Sequence, residues 1–151
     1  MAHVFPNGTV VALVHTEFDA MNIMVPKCNL SYPFCWTVTV GLAVSHDFGY
    51  TWQHARPPPQ HLVAAVPYKF NRTQLASGWG DPSNIIVSPA DGFYYFGVLN
   101  RNTVGLQAPG TCFARTADLM DPASWRAHGG AGVYNISFVA APCSVKECNF
   151  V

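Results

Sequence analysis

Residues 45–52 read Ser-His-Asp-Phe-Gly-Tyr-Thr-Trp, and this octapeptide carries the strongest fold signal in the chain. The carboxylate of Asp47 can accept hydrogen bonds from backbone N–H groups inside a tight hairpin, and Gly49 can supply a positive φ. The ring of Trp52 can pack into the sheet that the hairpin closes. We therefore predict a structural turn, with Asp47 structural and not catalytic, built on Ser45, Asp47, Gly49, Thr51 and Trp52.

The segment that leads to this turn has a second, weaker copy later in the chain. Asn7-Gly8 and Asp91-Gly92 each open a hydrophobic strand, and each copy continues to a turn that ends in tryptophan. The second turn runs from Thr116 to Trp125 and is a degenerate version of the first. The loops differ in length while the order of elements is the same, which is typical of a repeated structural module.

Strand signals dominate the sequence between these turns. β-Branched and aromatic residues occur in short runs, separated by loops rich in Pro, Gly and Asn. No stretch of about ten residues has a clean helical period. We predict an all-β chain with strands at residues 9–15, 36–44, 84–87, 93–99, 111–115 and 132–138.

Composition excludes several classes of protein. Half of the 151 residues are hydrophobic, only 11% are charged, and eight basic residues balance eight acidic ones. This excludes an intrinsically disordered chain, and we expect no nucleic-acid partner and no membrane span. The histidines lack ligand spacing and no nucleotide fingerprint occurs, so we expect no metal site and no cofactor.

The pattern Ser-x-Asp-x-Gly-x-Thr-Trp of residues 45–52 resembles the Asp-box, the BNR repeat of sialidases and related β-propellers. Residues 13–17 and 40–47, and Gly78-Trp79-Gly80-Asp81-Pro82-Ser83, are similar to segments of sialidase-like and GH43-like propellers. The resemblance implies antiparallel four-stranded blades of a five- or six-bladed β-propeller. It places blade 1 at about residues 1–56, blade 2 at about residues 80–128 and the start of a further blade at about residues 129–151.

Two to three blades are fewer than a propeller ring needs, because four to eight blades must close it. We therefore interpret the chain as a partial propeller domain. Other chains, or blades missing from this sequence, are the expected partners that close the ring. An ordinary closed β-sandwich is the structural alternative.

Strand order in such a propeller predicts which side chains share a rim. His15 and Glu17 end the second strand of one blade, Arg101 ends the second strand of the next, and Asp81 precedes an inner strand. The resemblance implies carbohydrate as the partner, with Glu17 and Asp81 as paired carboxylates for glycoside hydrolysis. The predicted substrate-binding residues are His15, Arg101 as a clamp for a substrate carboxylate, and Trp79 as a stacking platform.

Each of these residues also has a non-catalytic interpretation. His15 and Glu17 can form a strand-end salt bridge, and Asp81 can hydrogen-bond its own backbone in a turn. Arg101 can be a solvent-facing loop residue, and Trp79 can be a core side chain. Under this interpretation the protein is a non-catalytic structural or adhesive glycoprotein built from propeller blades.

Cysteines and glycosylation sequons point to the secretory pathway. Cys28 with Cys35, and Cys143 with Cys148, are close enough in sequence for small disulfide loops, which leaves Cys112 as an expected buried free thiol. Four of the nine asparagines begin a sequon, where chance gives about one. We expect a secreted glycoprotein whose leader is not in this chain, with sequons at Asn7, Asn29, Asn71 and Asn135.

Overall fold

The computed structural model describes residues 1–19, 35–66, 76–101 and 110–138. These residues form strands and one 3-10 turn at Pro122–Ser124, with no α-helix in the described ranges, so the all-β prediction is confirmed. The strands are β1 (Ala2–Val4), β2 (Val10–Asp19), β3 (Trp36–Ser45), β4 (Gln53–His54), β5 (Leu62–Ala64), β6 (Ser77–Gly80), β7 (Ile86–Val87), β8 (Tyr94–Asn100), β9 (Gly110–Thr116), β10 (Arg126–His128) and β11 (Tyr134–Ile136).

The eleven strands belong to one open, mixed sheet. Strands β1 to β4 pair antiparallel in chain order, and β5 pairs with the same edge of β3; we call this group module 1. Strands β7 to β10 pair antiparallel in the same order, with β11 added beside β10; we call this group module 2. Strand β6 joins the modules, because it runs parallel to β3 and antiparallel to β8.

The two modules share one register, so the repeat seen in the sequence is also a repeat of strand pairing. Ser45 begins the first turn and lies opposite Val10, the second residue after Gly8. In module 2, Thr116 begins the turn and lies opposite Tyr94, the second residue after Gly92. The pairs Val11–Val44 and Tyr95–Arg115 therefore occupy equivalent places.

The core lies between the modules. One face of module 1 contributes Val11, Leu13, Val40 and Leu42, and one face of module 2 contributes Phe96, Val98, Cys112, Ala114 and Trp125. Phe96 and Trp125 meet edge to face at 4.7 Å between ring centroids. Since alternate residues of a strand point to opposite faces, each module leaves its second face outside this core.

The ends of several strands differ from the predicted ones, because pairing with a neighbouring strand, and not the hydrophobic pattern of the sequence, determines where these strands end. Strand β2 continues to Asp19 because it pairs with β3 over its whole length. The strand predicted at residues 132–138 shortens to Tyr134–Ile136. Strands β1, β4, β5, β6 and β10 were not predicted, because runs of two to four residues carry no detectable period.

Within the described ranges, no helix is long and apolar enough to cross a membrane.

Candidate functional site

Strand order brings four of the predicted site residues together where neighbouring strands of the sheet end. His15 and Glu17 lie on the same face of β2, opposite Val40 and Val38 of β3. Asp81 directly follows β6, and Arg101 directly follows β8. Because β6 pairs with β3 on one side and with β8 on the other, these strand ends meet.

His15 is the centre of this cluster. The backbone N–H of Asp81 donates to His15 Nδ1 at 2.9 Å, so Nδ1 is the acceptor nitrogen of the ring. In the neutral ring the proton then lies on Nε2, which is 3.0 Å from Glu17 Oε1 and donates to it. This tautomer is inferred from the hydrogen bonds, and it makes the 3.4 Å approach of Asp81 Oδ1 to Nδ1 a contact of two acceptors and not a hydrogen bond.

Arg101 holds the other side of Asp81. Its Nη2 donates to Asp81 Oδ2 at 2.5 Å, and its guanidinium lies over the ring of Trp36 at 5.3 Å. Its backbone N–H donates to the carbonyl of Gly78 at 2.9 Å, which ties the end of β8 to β6. The buried Arg101 Nε has no hydrogen-bond partner among the described residues. In this arrangement Arg101 positions Asp81, and its Nη2 is already occupied by a carboxylate of the protein.

The cluster is open to solvent at its two carboxylates. The side chains of Glu17 and Asp81 are each 50% exposed, whereas those of His15 and Arg101 are more covered. The charged oxygens can therefore meet a ligand, while the imidazole between them and the guanidinium beside Asp81 are less exposed.

The backbone of β6 is shaped to let His15 approach. Gly80 has no side chain, and a Cβ there would lie 2.9 Å from His15 Cε1. Asp81 has a φ of 49°, in the left-handed region that few residues other than glycine adopt. This conformation turns the chain at the end of β6 and aims the Asp81 N–H at His15.

Trp79 does not have the predicted role as a sugar-stacking platform. Its side chain is only 4% exposed, and its ring packs edge to face on Phe138 at 4.9 Å. The opposite interpretation, a core side chain, is the correct one, because the face of β6 that carries Trp79 lies against the core between the modules.

The predicted turn at residues 45–52 is bonded as a closed local unit. Asp47 Oδ1 accepts from the backbone N–H of Thr51 at 2.8 Å and from Ser45 Oγ at 2.7 Å, and Asp47 Oδ2 accepts from Thr51 Oγ1 at 2.6 Å. These bonds, that of the Thr51 hydroxyl first, lower the pKa of Asp47 to about 2. Gly49 has a φ of 92° and donates to Ser45 Oγ. The carboxylate of Asp47 is thus used inside its own hairpin.

Trp52 departs from the prediction that it packs into the sheet. It is 47% exposed, and its Nε1 donates to the carbonyl of Gly49 at 2.9 Å. In the second turn, Trp125 is buried between the modules instead. Thr116 Oγ1 there accepts from the backbone N–H of Asp118, as Ser45 Oγ accepts from that of Asp47 in the first turn.

Two cysteines of the described ranges are oxidised. Cys35 and Cys112 are fully buried, and both are disulfide-bonded. The expectation of a free thiol at Cys112 is therefore wrong: buried cysteines pack well as free thiols, but nothing in the sequence near Cys112 shows which distant segment it meets. The predicted pairs remain predictions, because Cys28, Cys143 and Cys148 lie outside the described residues.

Two of the four sequon asparagines can be placed. Asn7 and Asn135 are both exposed, Asn7 in the turn before β2 and Asn135 on β11. Asn29 and Asn71 lie outside the described residues.

Three residues near the sheet edges escaped prediction. Trp36 lies under the guanidinium of Arg101 and is itself buried. On the opposite face of β2 and β3, the rings of His54 and His61 lie 4.3 Å apart beside a groove. Neither the Trp36–Arg101 contact nor the His54–His61 contact has a local sequence signal, because the partners come together only when the chain between them has folded. Within the described ranges, no group of three or more His, Cys, Asp or Glu side chains is arranged so that it could hold a metal ion.

Comparison of the chain with known protein families, with curated proteins and with solved structures found no match.

Proposed function

We propose that this chain recognises carbohydrate at the cluster of Glu17, His15, Asp81 and Arg101, and that Glu17 and Asp81 act there as the paired carboxylates of a glycoside hydrolase. The observation that carries the proposal is that two half-exposed carboxylates, far apart in sequence, meet on one imidazole ring. The two contacts, of 3.0 and 3.4 Å, keep the carboxylates within the separations, up to roughly 9.5 Å, that glycosidases use.

The surroundings of the two carboxylates differ, and this suggests different roles. Asp81 forms an ion pair with Arg101, which suits a group that must stay anionic as a base or nucleophile. Glu17 contacts the imidazole of His15 and has no arginine partner like that of Asp81, so we assign it the role of the acid that protonates the leaving oxygen. His15 positions the Glu17 carboxylate through Nε2 and the Asp81 backbone through Nδ1, and Arg101 holds the Asp81 carboxylate.

The modular sheet supports the wider proposal of a sialidase-like or GH43-like β-propeller. Two antiparallel modules pair in one register and carry related turns at equivalent places. Exposed sequons at Asn7 and Asn135 and the disulfide-bonded Cys35 and Cys112 support a secreted glycoprotein, because disulfides persist in oxidising compartments.

One observation favours the second candidate, a non-catalytic structural or adhesive glycoprotein. The contacts among Glu17, His15, Asp81 and Arg101 already link the four side chains to one another, as a purely structural network does.

Hydrolysis of a broad glycan panel tests the proposal. Glu17→Gln keeps an acceptor for His15 but loses the acid, so we expect kcat to fall by about 100-fold or more with an unchanged circular dichroism spectrum. Asp81→Asn should show a loss of similar size. Asp121→Asn is the matched control, because it changes a carboxylate of the second turn and asparagine also caps that turn.

The outcomes separate the two candidates. Loss of turnover in both site variants, with Asp121→Asn close to wild type, supports catalysis. Glycan binding without turnover by the wild-type chain supports the non-catalytic candidate. Neither binding nor turnover across the panel overturns carbohydrate recognition at this cluster.

A further inference from the structure

The charges in the cluster of Glu17, His15, Asp81 and Arg101 do not balance. Glu17 and Asp81 each bring a carboxylate, and Arg101 brings the guanidinium that pairs with Asp81. His15 adds no charge, because its Nδ1 accepts the Asp81 backbone N–H, whereas both ring nitrogens of an imidazolium ion are donors. With both carboxylates ionised, two negative charges and one positive charge leave one negative charge in excess.

Arg101 is not free to clamp an acid group of a ligand. A guanidinium grips a carboxylate with two N–H groups, and Nη2 takes part whether the second group is that of Nη1 or that of Nε. Here Nη2 already donates to Asp81 Oδ2 at 2.5 Å, and Nε is buried. The other arginines of the described ranges make their contacts elsewhere in the sheet: Arg56, Arg115 and Arg126.

Two carboxylate oxygens of the cluster meet no donor from the part of the chain that the structure describes. Glu17 Oε1 is 3.0 Å from His15 Nε2, which leaves Glu17 Oε2 open. Asp81 Oδ2 is held by Arg101, and Asp81 Oδ1 faces only the acceptor Nδ1 of His15, at 3.4 Å. Since both carboxylate side chains are 50% exposed, a ligand can supply the missing donors.

We propose that the sugar bound at this cluster is uncharged, and that the cluster discriminates against sialic acid, uronic acids and other acidic sugars. A sugar ring presents several hydroxyl donors, so separate hydroxyls can reach Glu17 Oε2 and Asp81 Oδ1. An acid group instead brings a further negative charge beside the excess one, where the Arg101 fork is already occupied. The inference rests on the proposed carbohydrate site and adds the class of sugar that the site binds.

Two matched pairs of ligands test this discrimination: lactose against sialyllactose, and cellotetraose against the β-linked tetramer of glucuronic acid. Backbone amide signals of the labelled full chain locate each ligand and give its dissociation constant. We expect at least one uncharged ligand to shift the signals of Glu17, Asp81 and Arg101, and its acidic counterpart to bind about tenfold or more weakly. Salt screens repulsion between exposed charges, so the difference should shrink as the salt concentration is raised to about 1 M.

Asp81→Asn makes the test specific to Arg101. This variant removes one negative charge and weakens the hold on Arg101 Nη2, and asparagine tolerates the left-handed conformation at position 81. The acidic ligands should therefore bind it about tenfold or more tightly than they bind wild type, whereas the uncharged ligands should gain nothing. Asp121→Asn is the matched control, because it changes the net charge of the chain equally but outside the cluster.

The outcomes separate this inference from the proposal on which it rests. Equal or tighter binding of the acidic member of a pair at the cluster signals overturns the inference and leaves the carbohydrate site standing. So does an unchanged affinity of Asp81→Asn for the acidic ligands, or an equal gain in Asp121→Asn. If no ligand of either kind shifts the cluster signals, carbohydrate recognition at the cluster fails, and the inference fails with it.

Discussion

At the level of single residues, Asp47 and Asp81 show how the surroundings of a carboxylate separate a structural role from a candidate functional one. The Asp47 carboxylate accepts hydrogen bonds from Ser45 and Thr51 of the same turn. The Asp81 carboxylate instead meets His15 and Arg101, which come from other strands. Hydrogen bonds within a single turn can be predicted from sequence, and the structural role of Asp47 was predicted in this way.

The lowered pKa of Asp47 predicts a specific loss of stability in acid. A carboxyl group whose folded pKa lies below its unfolded value of 3.8 stabilises the fold above that pH. The contribution disappears as the pH falls through about 2. We therefore expect the melting temperature of Asp47→Asn to lie below that of wild type near neutral pH, and the gap to narrow between pH 3.8 and about 2.

Thermal melts followed by circular dichroism across that pH range measure this gap. A gap that stays constant with pH would show that the Asp47 carboxylate is not stabilised by its turn.

Trp79 gives a second prediction at this scale. Because its ring is buried against Phe138, Trp79→Ala should lower the free energy of unfolding by about 3–5 kcal/mol. Urea denaturation measures the loss, and Trp52→Ala, at an exposed ring, should cost clearly less. Equal costs for the two variants would contradict the burial of Trp79. The sequence could not separate these two tryptophans, because burial depends on which module face covers each ring.

At the level of elements, β6 is the strand that makes the site. It carries Asp81 between β3 and β8, and its close approach to β3 requires Gly78. Gly78 has a φ of 118°, and a Cβ there would lie 2.0 Å from the Val38 carbonyl oxygen. No pattern in the sequence predicted β6, since four residues paired with two different strands leave no period.

Gly78→Ala should therefore separate β6 from β3. We expect a loss of unfolding free energy of at least about 3 kcal/mol, from strain and overpacking together. Gly92→Ala is the matched control: Gly92 has a positive φ of 73° but open space around it, so it should cost only about 1–2 kcal/mol. Urea denaturation compares the two, and similar losses would contradict the close β3–β6 contact.

Strands β4 and β5 are linked by the contact of His54 with His61, and this contact predicts a pH effect. Burial, and next the charge of His54, lower the pKa of His61 below 6.5. A histidine with a lowered folded pKa stabilises the fold above the unfolded pKa, and the contribution is lost as the pH falls through the folded value. Wild type should therefore lose more melting temperature than His61→Gln between about pH 7.5 and about pH 5.

Parallel melts of the two proteins at several pH values check this expectation. Curves that fall equally with pH would show that His61 takes up its proton as easily in the folded chain as in the unfolded one.

At the level of the whole molecule, the sequence predicted the repeated strand-and-turn segment better than it predicted how the two modules pack on each other. The two Gly-to-Trp segments lie in equivalent registers, because turn residues and strand alternation are local properties. The order of strands also predicted that His15, Glu17, Asp81 and Arg101 project toward one rim, and in the structure these four side chains lie in contact with one another. The Arg101–Asp81 pair was not foreseen, and the sequence left Trp79 open between a stacking platform and a core side chain, because both depend on how the modules pack on each other.

The central claim is that these four residues form one carbohydrate site, and nuclear magnetic resonance of the labelled chain tests it most directly. The backbone amide signals are followed while sialylated and neutral oligosaccharides are added in turn. With the best ligand, we predict that the largest shifts occur at Glu17, Asp81 and Arg101, and that Asp81→Asn abolishes them. Shifts centred on the turn at residues 45–52, or no shifts with any oligosaccharide, would contradict the claim.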